Sequence, residues 1–200
     1  MENNILKNSL LKVSKVLLEL KTKGNIDSYG LIGGLAIGSL GIPRATRDVD
    51  FLVSTENVQK FYEELKKSLV KENLLIKLKK PEYKKFPYYC IICYEKESKQ
   101  RIVDILVLIM KWQDEISHDI ITIDFNGQKI PVINNEGLII LKLKAGSPID
   151  IIDVKNMLKV VDINKLNHDK LKNWAKRAGV NKLLDKILRN VKVKNEENIY

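Results

Sequence analysis

The chain lacks the features of a membrane-spanning, secreted or disulfide-rich protein. It has two cysteines, five prolines and ten glycines in 200 residues. Its uninterrupted apolar runs are short, with six residues from Ile105 to Met110, whereas a membrane-spanning helix needs about 20. Met1 to Asn4 has neither the basic start nor the apolar stretch of a signal peptide. We therefore expect a cytoplasmic protein that does not enter a membrane.

The two cysteines, Cys90 and Cys93, are too few for a structural zinc site, which needs four ligands. The intervening Ile91 and Ile92 favour a strand, and a strand would direct the two thiols to opposite faces. This pattern favours buried free thiols. Zinc binding or redox chemistry is the alternative.

The remaining composition is typical of a single globular domain, with or without a small appendage. Hydrophobic residues make up 44% and charged residues 30% of the chain. The 35 Lys and Arg against 25 Asp and Glu give a net charge of +10, which favours nucleotides, nucleic acid or an acidic protein as partners. Residues 161–200 carry ten basic and five acidic side chains. This excess indicates either an RNA-facing surface or a solvated helix face.

Hydrophobic periodicity divides the chain into two units and a tail. Strand-like and helical segments alternate over residues 1–133, which predicts an α/β unit. Residues 134–193 are helical in pattern, and residues 194–200 form a polar tail that we expect to fray. The strongest local signal is Asn126-Gly127, which predicts a hairpin joining strands 120–125 and 128–132.

Three carboxylates occur where strands are expected. Asp48 and Asp50 flank Val49, and residues two apart on a strand share a face. Asp104 interrupts the otherwise apolar run from Ile102 to Val107. If the two strands are neighbours, three carboxylates converge, and a divalent cation such as Mg²⁺ would offset their repulsion. That is a ligand set for two metal ions about 3.5–4 Å apart.

A glycine pair precedes these acids. Gly33-Gly34 follows a predicted strand and opens a short helix, so its backbone N–H groups can approach a phosphate. Arg44 and Arg47 lie beside the acids, where they can bind phosphate oxygens or pair with the carboxylates. Each feature alone is common in turns and loops, but their combination indicates a phosphate-transfer site.

Gly33-Gly34, thirteen intervening residues and Asp48-Val49-Asp50 resemble the signature of the polymerase β nucleotidyltransferase superfamily. The longer string, which adds Ala36, Gly41, Arg44, Thr46 and Phe51, is similar to small prokaryotic nucleotidyltransferase-like proteins, many of which occur in toxin–antitoxin and abortive-infection systems. Downstream, residues 142–153 resemble the helical Lys-x-x-Ala-Gly-Arg-x-Lys-Asp-x-x-Asp motif of that group. The likeness covers roughly residues 26–160.

The resemblance implies a mixed β-sheet flanked by helices, followed by a C-terminal helical unit. It implies that Asp48 and Asp50 coordinate two Mg²⁺ ions, or Mn²⁺, and that Asp104 completes one site and helps deprotonate the acceptor. It also implies that a nucleoside triphosphate binds the residues that match the family's substrate positions: Gly33, Gly34, Arg44, Thr46 and Lys142. Arg47, which lies beside the acids, is a further candidate for nucleotide binding. Asp150 and Asp153 match its helical acidic positions. The positive net charge favours RNA, such as tRNA, as the acceptor, and a hydroxyl of a partner protein is the competing acceptor.

The chain departs from the family pattern at Ser147 and Ile149, where that pattern has Arg and Lys. Ser147, Pro148 and Asp150 also suit the start of a helix without any substrate. Two other functions therefore stay open: a binding module that acts as one subunit of a two-component system, and an enzyme that modifies small antibiotic-like molecules. The second would predict an open acidic cleft, which the basic composition does not favour.

Overall fold

A computed structural model describes residues 2–82, 88–108 and 111–197. Seven strands form one sheet: β1 (Ser28–Ile32), β2 (Val49–Ser54), β3 (Leu74–Lys79), β4 (Tyr89–Glu95), β5 (Arg101–Val107), β6 (Ile120–Phe125) and β7 (Gln128–Ile133). The strand order is β3-β4-β5-β2-β1-β7-β6. Strand pairs β2–β5 and β1–β7 are parallel, and the other four pairs are antiparallel. The sheet is therefore mixed, as predicted.

Eight helices accompany the sheet within the described residues: α1 (Glu2–Thr22), α2 (Gly33–Ser39), α3 (Val58–Lys71), α4 (Lys111–His118), α5 (Asn135–Ala145), α6 (Pro148–Val160), α7 (His168–Ala178) and α8 (Asn181–Glu197). A single 3-10 turn, Ile163–Lys165, links α6 to α7. The last four helices form the C-terminal helical unit, in which α5 contacts α6 and α7, and α8 contacts α6 and α7.

The two faces of the sheet are covered by different helices. The face that includes Phe51, Val103 and Ile105, all fully buried, packs under α1 and α3. Helix α3 buries Phe61, Leu65 and Leu69 at spacings of four residues, so one apolar stripe faces the core. Helices α2 and α4 contact β1 and β2 on the opposite face, which carries the Asp50 side chain.

Several local predictions are confirmed. The β6–β7 hairpin turns at Asn126 and Gly127, both with positive φ. Cys90 and Cys93 are free and buried. Ser147 caps α6 in a capping box, with Pro148 at the start of the helix.

Other local predictions differ from the structure. The polar residues Ser54 and Thr55 predict the start of a helix from the sequence, but Asn57 caps α3 by accepting the Lys60 N–H at 2.9 Å. The lysine-rich residues 77–85 predict a basic loop, but β3 continues to Lys79; residues 83–87 lie outside the described residues. Helix α8 runs to Glu197, through the start of the expected tail, and residues 198–200 are also outside the described part.

Among the described residues, none of the helices combines the length and the apolar character that crossing a membrane requires.

Candidate active site

The parallel pairing of β2 and β5 places Asp104 beside Asp50. The two residues are register partners, and neighbouring strands lie about 4.8 Å apart. Register partners direct their side chains to the same face of a sheet. Asp48 lies in the turn immediately before β2. Asp50 and Asp104 therefore lie side by side on the α2-covered face. Asp48 was expected on the strand as well, but β2 begins at Val49, so strand alternation does not place the Asp48 side chain on that face.

Gly33 packs directly against the carboxylate of Asp50. A Cβ atom added at Gly33 would overlap Oδ2 of Asp50, and the residue has a φ of +72°, which favours glycine. At Gly34, an added Cβ would lie 2.7 Å from the Cβ of Thr46. Both glycines are therefore required by close approach, and the turn they form stands next to the acids.

The environment of Asp50 disfavours its charged form. Burial, followed by the charge of Asp48, raises the pKa of Asp50 from 3.8 to about 7, although the charges of Lys142 and Arg101 lower it. In the described part of the chain, neither Asp48 nor Asp50 forms an ion pair. A bound cation would relieve the repulsion between these two carboxylates.

Asp104 differs from Asp50, because Arg101 binds both of its carboxylate oxygens. The Arg101 Nε donates to Oδ1 at 2.7 Å, and a terminal guanidinium nitrogen donates to Oδ2. The side chain of Asp104 is 9% exposed and that of Arg101 is 52% exposed. This pair was not foreseen from the sequence, since residues three apart on a strand are expected on opposite faces.

The loop before β2 carries Thr46 and Arg47. The Thr46 hydroxyl donates to Oδ1 of Asp48 at 2.8 Å, which fixes the orientation of that carboxylate. Arg47 is exposed. The structure thus brings Thr46 to the acids and leaves Arg47 facing solvent.

Four predicted residues form a separate ionic cluster. Lys142 Nζ lies 2.8 Å from Asp150 Oδ1 and 2.9 Å from Asp153 Oδ2, and Arg44 Nε donates to Asp153 Oδ1 at 3.0 Å. Burial opposes the charge of Lys142, but the hydrogen bonds and charges of the two acids raise its pKa overall. Burial also opposes ionisation of Asp150, yet bonds from Lys142 and Ser147 hold its pKa below the ordinary value. Arg44 and Lys142 therefore meet carboxylates in this structure.

The residues fit a divalent cation in part. Asp48 and Asp50 supply two carboxylates close enough for the charge of Asp48 to raise the pKa of Asp50, and carboxylate oxygens suit Mg²⁺. Arg101 binds both oxygens of Asp104. Within residues 2–82, 88–108 and 111–197, no group of three or more His, Cys, Asp or Glu side chains is arranged to hold a metal ion.

The family described as "Nucleotidyltransferase of unknown function (DUF6036)" matches residues 8–197. The chain belongs to this family. The family and the fold support nucleotidyl transfer as its general chemistry, and confirm the predicted nucleotidyltransferase relationship and the mixed α/β fold.

Two solved structures share the fold. One is an antigenic nucleotidyltransferase-like protein from Paracoccidioides brasiliensis, with 20% identity, 94% of each chain covered and a TM-score of 0.50. The other is ANT(2″)-Ia in complex with adenylyl-2″-tobramycin, with 12% identity, 86% of this chain and 97% of that chain covered, and a TM-score of 0.50. At these identities the likeness concerns the fold alone. No curated protein sequence matches the chain significantly.

Proposed function

We propose that the chain transfers a nucleoside monophosphate from a nucleoside triphosphate to an acceptor hydroxyl, with release of pyrophosphate. The observation that carries this proposal is the placement of Asp50 and Asp104 as register partners on adjacent parallel strands, with Gly33 against the Asp50 carboxylate. Acids beside a glycine turn suit the binding of a triphosphate together with divalent cations.

In this proposal Asp48 and Asp50 would hold Mg²⁺ or Mn²⁺, and Asp104 would complete a second metal site in place of its contact with Arg101. When bound, the metal ions would neutralise the triphosphate charge and lower the pKa of the acceptor hydroxyl. The Gly33-Gly34 turn would offer backbone N–H groups to the phosphates, and Thr46 keeps the Asp48 carboxylate oriented.

The transfer step itself is an in-line displacement. The acceptor oxygen forms a bond to the α-phosphorus while the bond from that phosphorus to the bridging oxygen breaks, and pyrophosphate leaves. The proton of the acceptor hydroxyl passes to Asp104. The roles of Arg44 and Lys142 in our proposal differ from those implied by the resemblance. Arg44 holds the helical unit against the site through Asp153, and Lys142 holds α5 to α6 through Asp150 and Asp153.

The positive net charge supports RNA, such as tRNA, as the acceptor. A hydroxyl on a partner protein is the competing acceptor, and a role in a toxin–antitoxin system stays a prediction that rests on the resemblance. The neighbouring fold of ANT(2″)-Ia makes an antibiotic-like small molecule a third acceptor to include in a test.

A second candidate function is favoured by the cations that cover the acids. Arg101 occupies Asp104, Lys142 is held by Asp150 and Asp153, and the family's basic residues are replaced by Ser147 and Ile149. These features suit a weak or inactive module that binds nucleotide and serves as the partner subunit of a two-component system.

The test is transfer of label from each of four α-³²P-labelled nucleoside triphosphates, in Mg²⁺ or Mn²⁺, to total RNA, to lysate protein and to tobramycin. We expect labelled product that Asp48→Asn and Asp50→Asn abolish. Asp124→Asn is the matched control, because Asp124 is an exposed acid on the β6–β7 hairpin. Nucleotide binding without transfer to any acceptor would contradict the enzyme and favour the binding module.

A further inference from the structure

Arg101 and Asp104 form a bidentate ion pair at the edge of the candidate site. Both carboxylate oxygens of Asp104 accept hydrogen bonds from the guanidinium. Such a fork has two parallel contacts and is stronger and more directional than a single contact. The third carboxylate of the cluster is thus already neutralised by a residue of its own strand.

The guanidinium also opposes a cation at this position. Two like charges a few ångströms apart repel, and the repulsion is larger in a partly buried site than in water. The positive charge of Arg101 reaches Asp50 as well, because it is among the charges that lower the pKa of that carboxyl. A metal ion between Asp50 and Asp104 and an Arg101 side chain on Asp104 are therefore competing arrangements.

The two partners differ in freedom to move. Asp104 is 6% exposed and is fixed within the central strand β5. Arg101 is the first residue of that strand, and half of its side chain is exposed. Arg101 can leave without opening the core, and a phosphate group is a good alternative partner because it also accepts two parallel N–H bonds from a guanidinium.

We propose that Arg101 exchanges between two partners: it holds Asp104 when the site is free of nucleotide and moves to a phosphate oxygen of a bound nucleotide, so that Asp104 becomes a metal ligand only then. This inference rests on the proposed function and adds a positioning residue to it. The exchange predicts two coupled effects on affinity. A substitution that releases Asp104 from Arg101 strengthens metal binding. The presence of Arg101 strengthens nucleotide binding.

The test uses two separate titrations of the full chain. Mn²⁺ binding without nucleotide is followed by the electron paramagnetic resonance signal of the free ion. Binding of an α,β-methylene analogue of ATP is measured by calorimetry in EDTA. We expect Arg101→Gln to tighten Mn²⁺ binding and to weaken metal-free nucleotide binding, each by at least about fivefold.

Matched variants separate this exchange from a general change in charge. Lys96→Gln removes an exposed cation from the turn after β4 and is expected to leave both affinities within about twofold of wild type. In Arg101→Gln/Asp104→Asn the gain in Mn²⁺ affinity should disappear, because the released carboxylate is gone. Arg101→Lys keeps a charge without the fork and should shift both affinities in the same directions by smaller factors, which provides a reading if Arg101→Gln does not fold.

Opposite shifts of the two affinities are the signature of the exchange. Arg101→Gln that behaves like Lys96→Gln, or that moves both affinities in one direction, would overturn the inference while leaving the proposed function intact. A wild-type protein that binds neither Mn²⁺ nor the nucleotide analogue would instead contradict the proposed function.

Discussion

Two pairs of aspartates, Asp48 with Asp50 and Asp150 with Asp153, have opposite electrostatic surroundings. For Asp50, burial and the nearby charge of Asp48 raise the pKa to about 7. For Asp150, burial is outweighed by Lys142 and Ser147, and the pKa is lowered. The first pair repels itself beside a glycine turn. The second pair is neutralised by Lys142 and Arg44 at distances of 2.8–3.0 Å.

We infer that Asp48 and Asp50 are available for catalysis, whereas Asp150 and Asp153 stabilise the packing of the helical unit. Asp48 and Asp50 form no ion pair with the side chains that the structure describes, so they can accept a cation from solution. The neutralised cluster joins α5 and α6 of the helical unit to Arg44 in the loop between α2 and β2. Removal of an acid from either pair should therefore have different consequences for activity and for stability.

Asp50→Asn is expected to give the largest effect. Loss of a carboxylate that binds the metal should reduce transfer about 1,000-fold, equivalent to about 4 kcal/mol of transition-state stabilisation. Stability should stay the same or rise, since the variant removes a charge that burial and Asp48 disfavour. Label-transfer rates and thermal melts measure the two effects. A folded Asp50→Asn variant with the wild-type rate of transfer would contradict the catalytic role of this acid pair.

Asp153→Asn should act mainly on stability. Its side chain is 3% exposed and meets both Arg44 and Lys142. The variant leaves Arg44 without its carboxylate partner, whereas Lys142 keeps Asp150. We expect a loss of about 3 kcal/mol, the low end for a broken buried ion pair. Urea denaturation should show this loss. Unchanged stability together with abolished transfer would assign Asp153 to the catalytic group instead.

Thr46→Val tests whether Thr46 orients the Asp48 carboxylate, because valine and threonine have nearly the same shape. The valine keeps the packing against Gly34 but lacks the hydroxyl that bonds Oδ1 of Asp48. Loss of one hydrogen bond to a charged group, about 1.5 kcal/mol, corresponds to roughly a tenfold fall in transfer. Steady-state kinetics should report this fall, with Thr46→Ser retaining most of the rate. Equal rates for valine and serine variants would contradict the orienting role.

The pH dependence of stability should differ in sign between the two pairs, by a smaller amount. The folded protein holds the Asp50 proton at pH values where the unfolded chain has lost it, so the free energy of unfolding falls as pH rises from 3.8 to about 7. The contribution of Asp150 is present above its ordinary pKa of 3.8 and is lost as pH falls through its lowered folded pKa.

Chemical denaturation across this range, in EDTA, checks both signs. Asp50→Asn should remove the decline between pH 3.8 and about 7, whereas Asp150→Asn should weaken the loss at lower pH. Identical profiles for wild type and Asp50→Asn would show that the Asp50 carboxyl is not perturbed.

The sequence was sufficient to place two of the three acids on strands, but not to identify all their partners. Alternation and an apolar run placed Asp50 and Asp104 on strands, and the structure makes those strands neighbours. The sequence could not reveal Arg101 on Asp104, because alternation separates residues three apart. The pair of Arg44 and Asp153 is equally hidden, since it joins residues 109 positions apart.

The sequence also does not predict helix α4, a short element with weak periodicity. Helix α4 has eight residues, and Trp112 and Ile116 are its buried apolar side chains among those described. Two apolar positions do not distinguish a helix from a loop. The helix is nevertheless part of the core, because Ser117 bonds Ser28 at 2.5 Å and Asp114 accepts a bond from Ser54 at 2.6 Å.

Counting bound Mn²⁺ by electron paramagnetic resonance tests most directly whether the two acid pairs differ in kind. Wild type and Asp150→Asn should bind the ion, while Asp48→Asn/Asp50→Asn should be folded by circular dichroism and fail to bind it. Retention of Mn²⁺ by the folded double variant, or its loss in Asp150→Asn alone, would contradict the account.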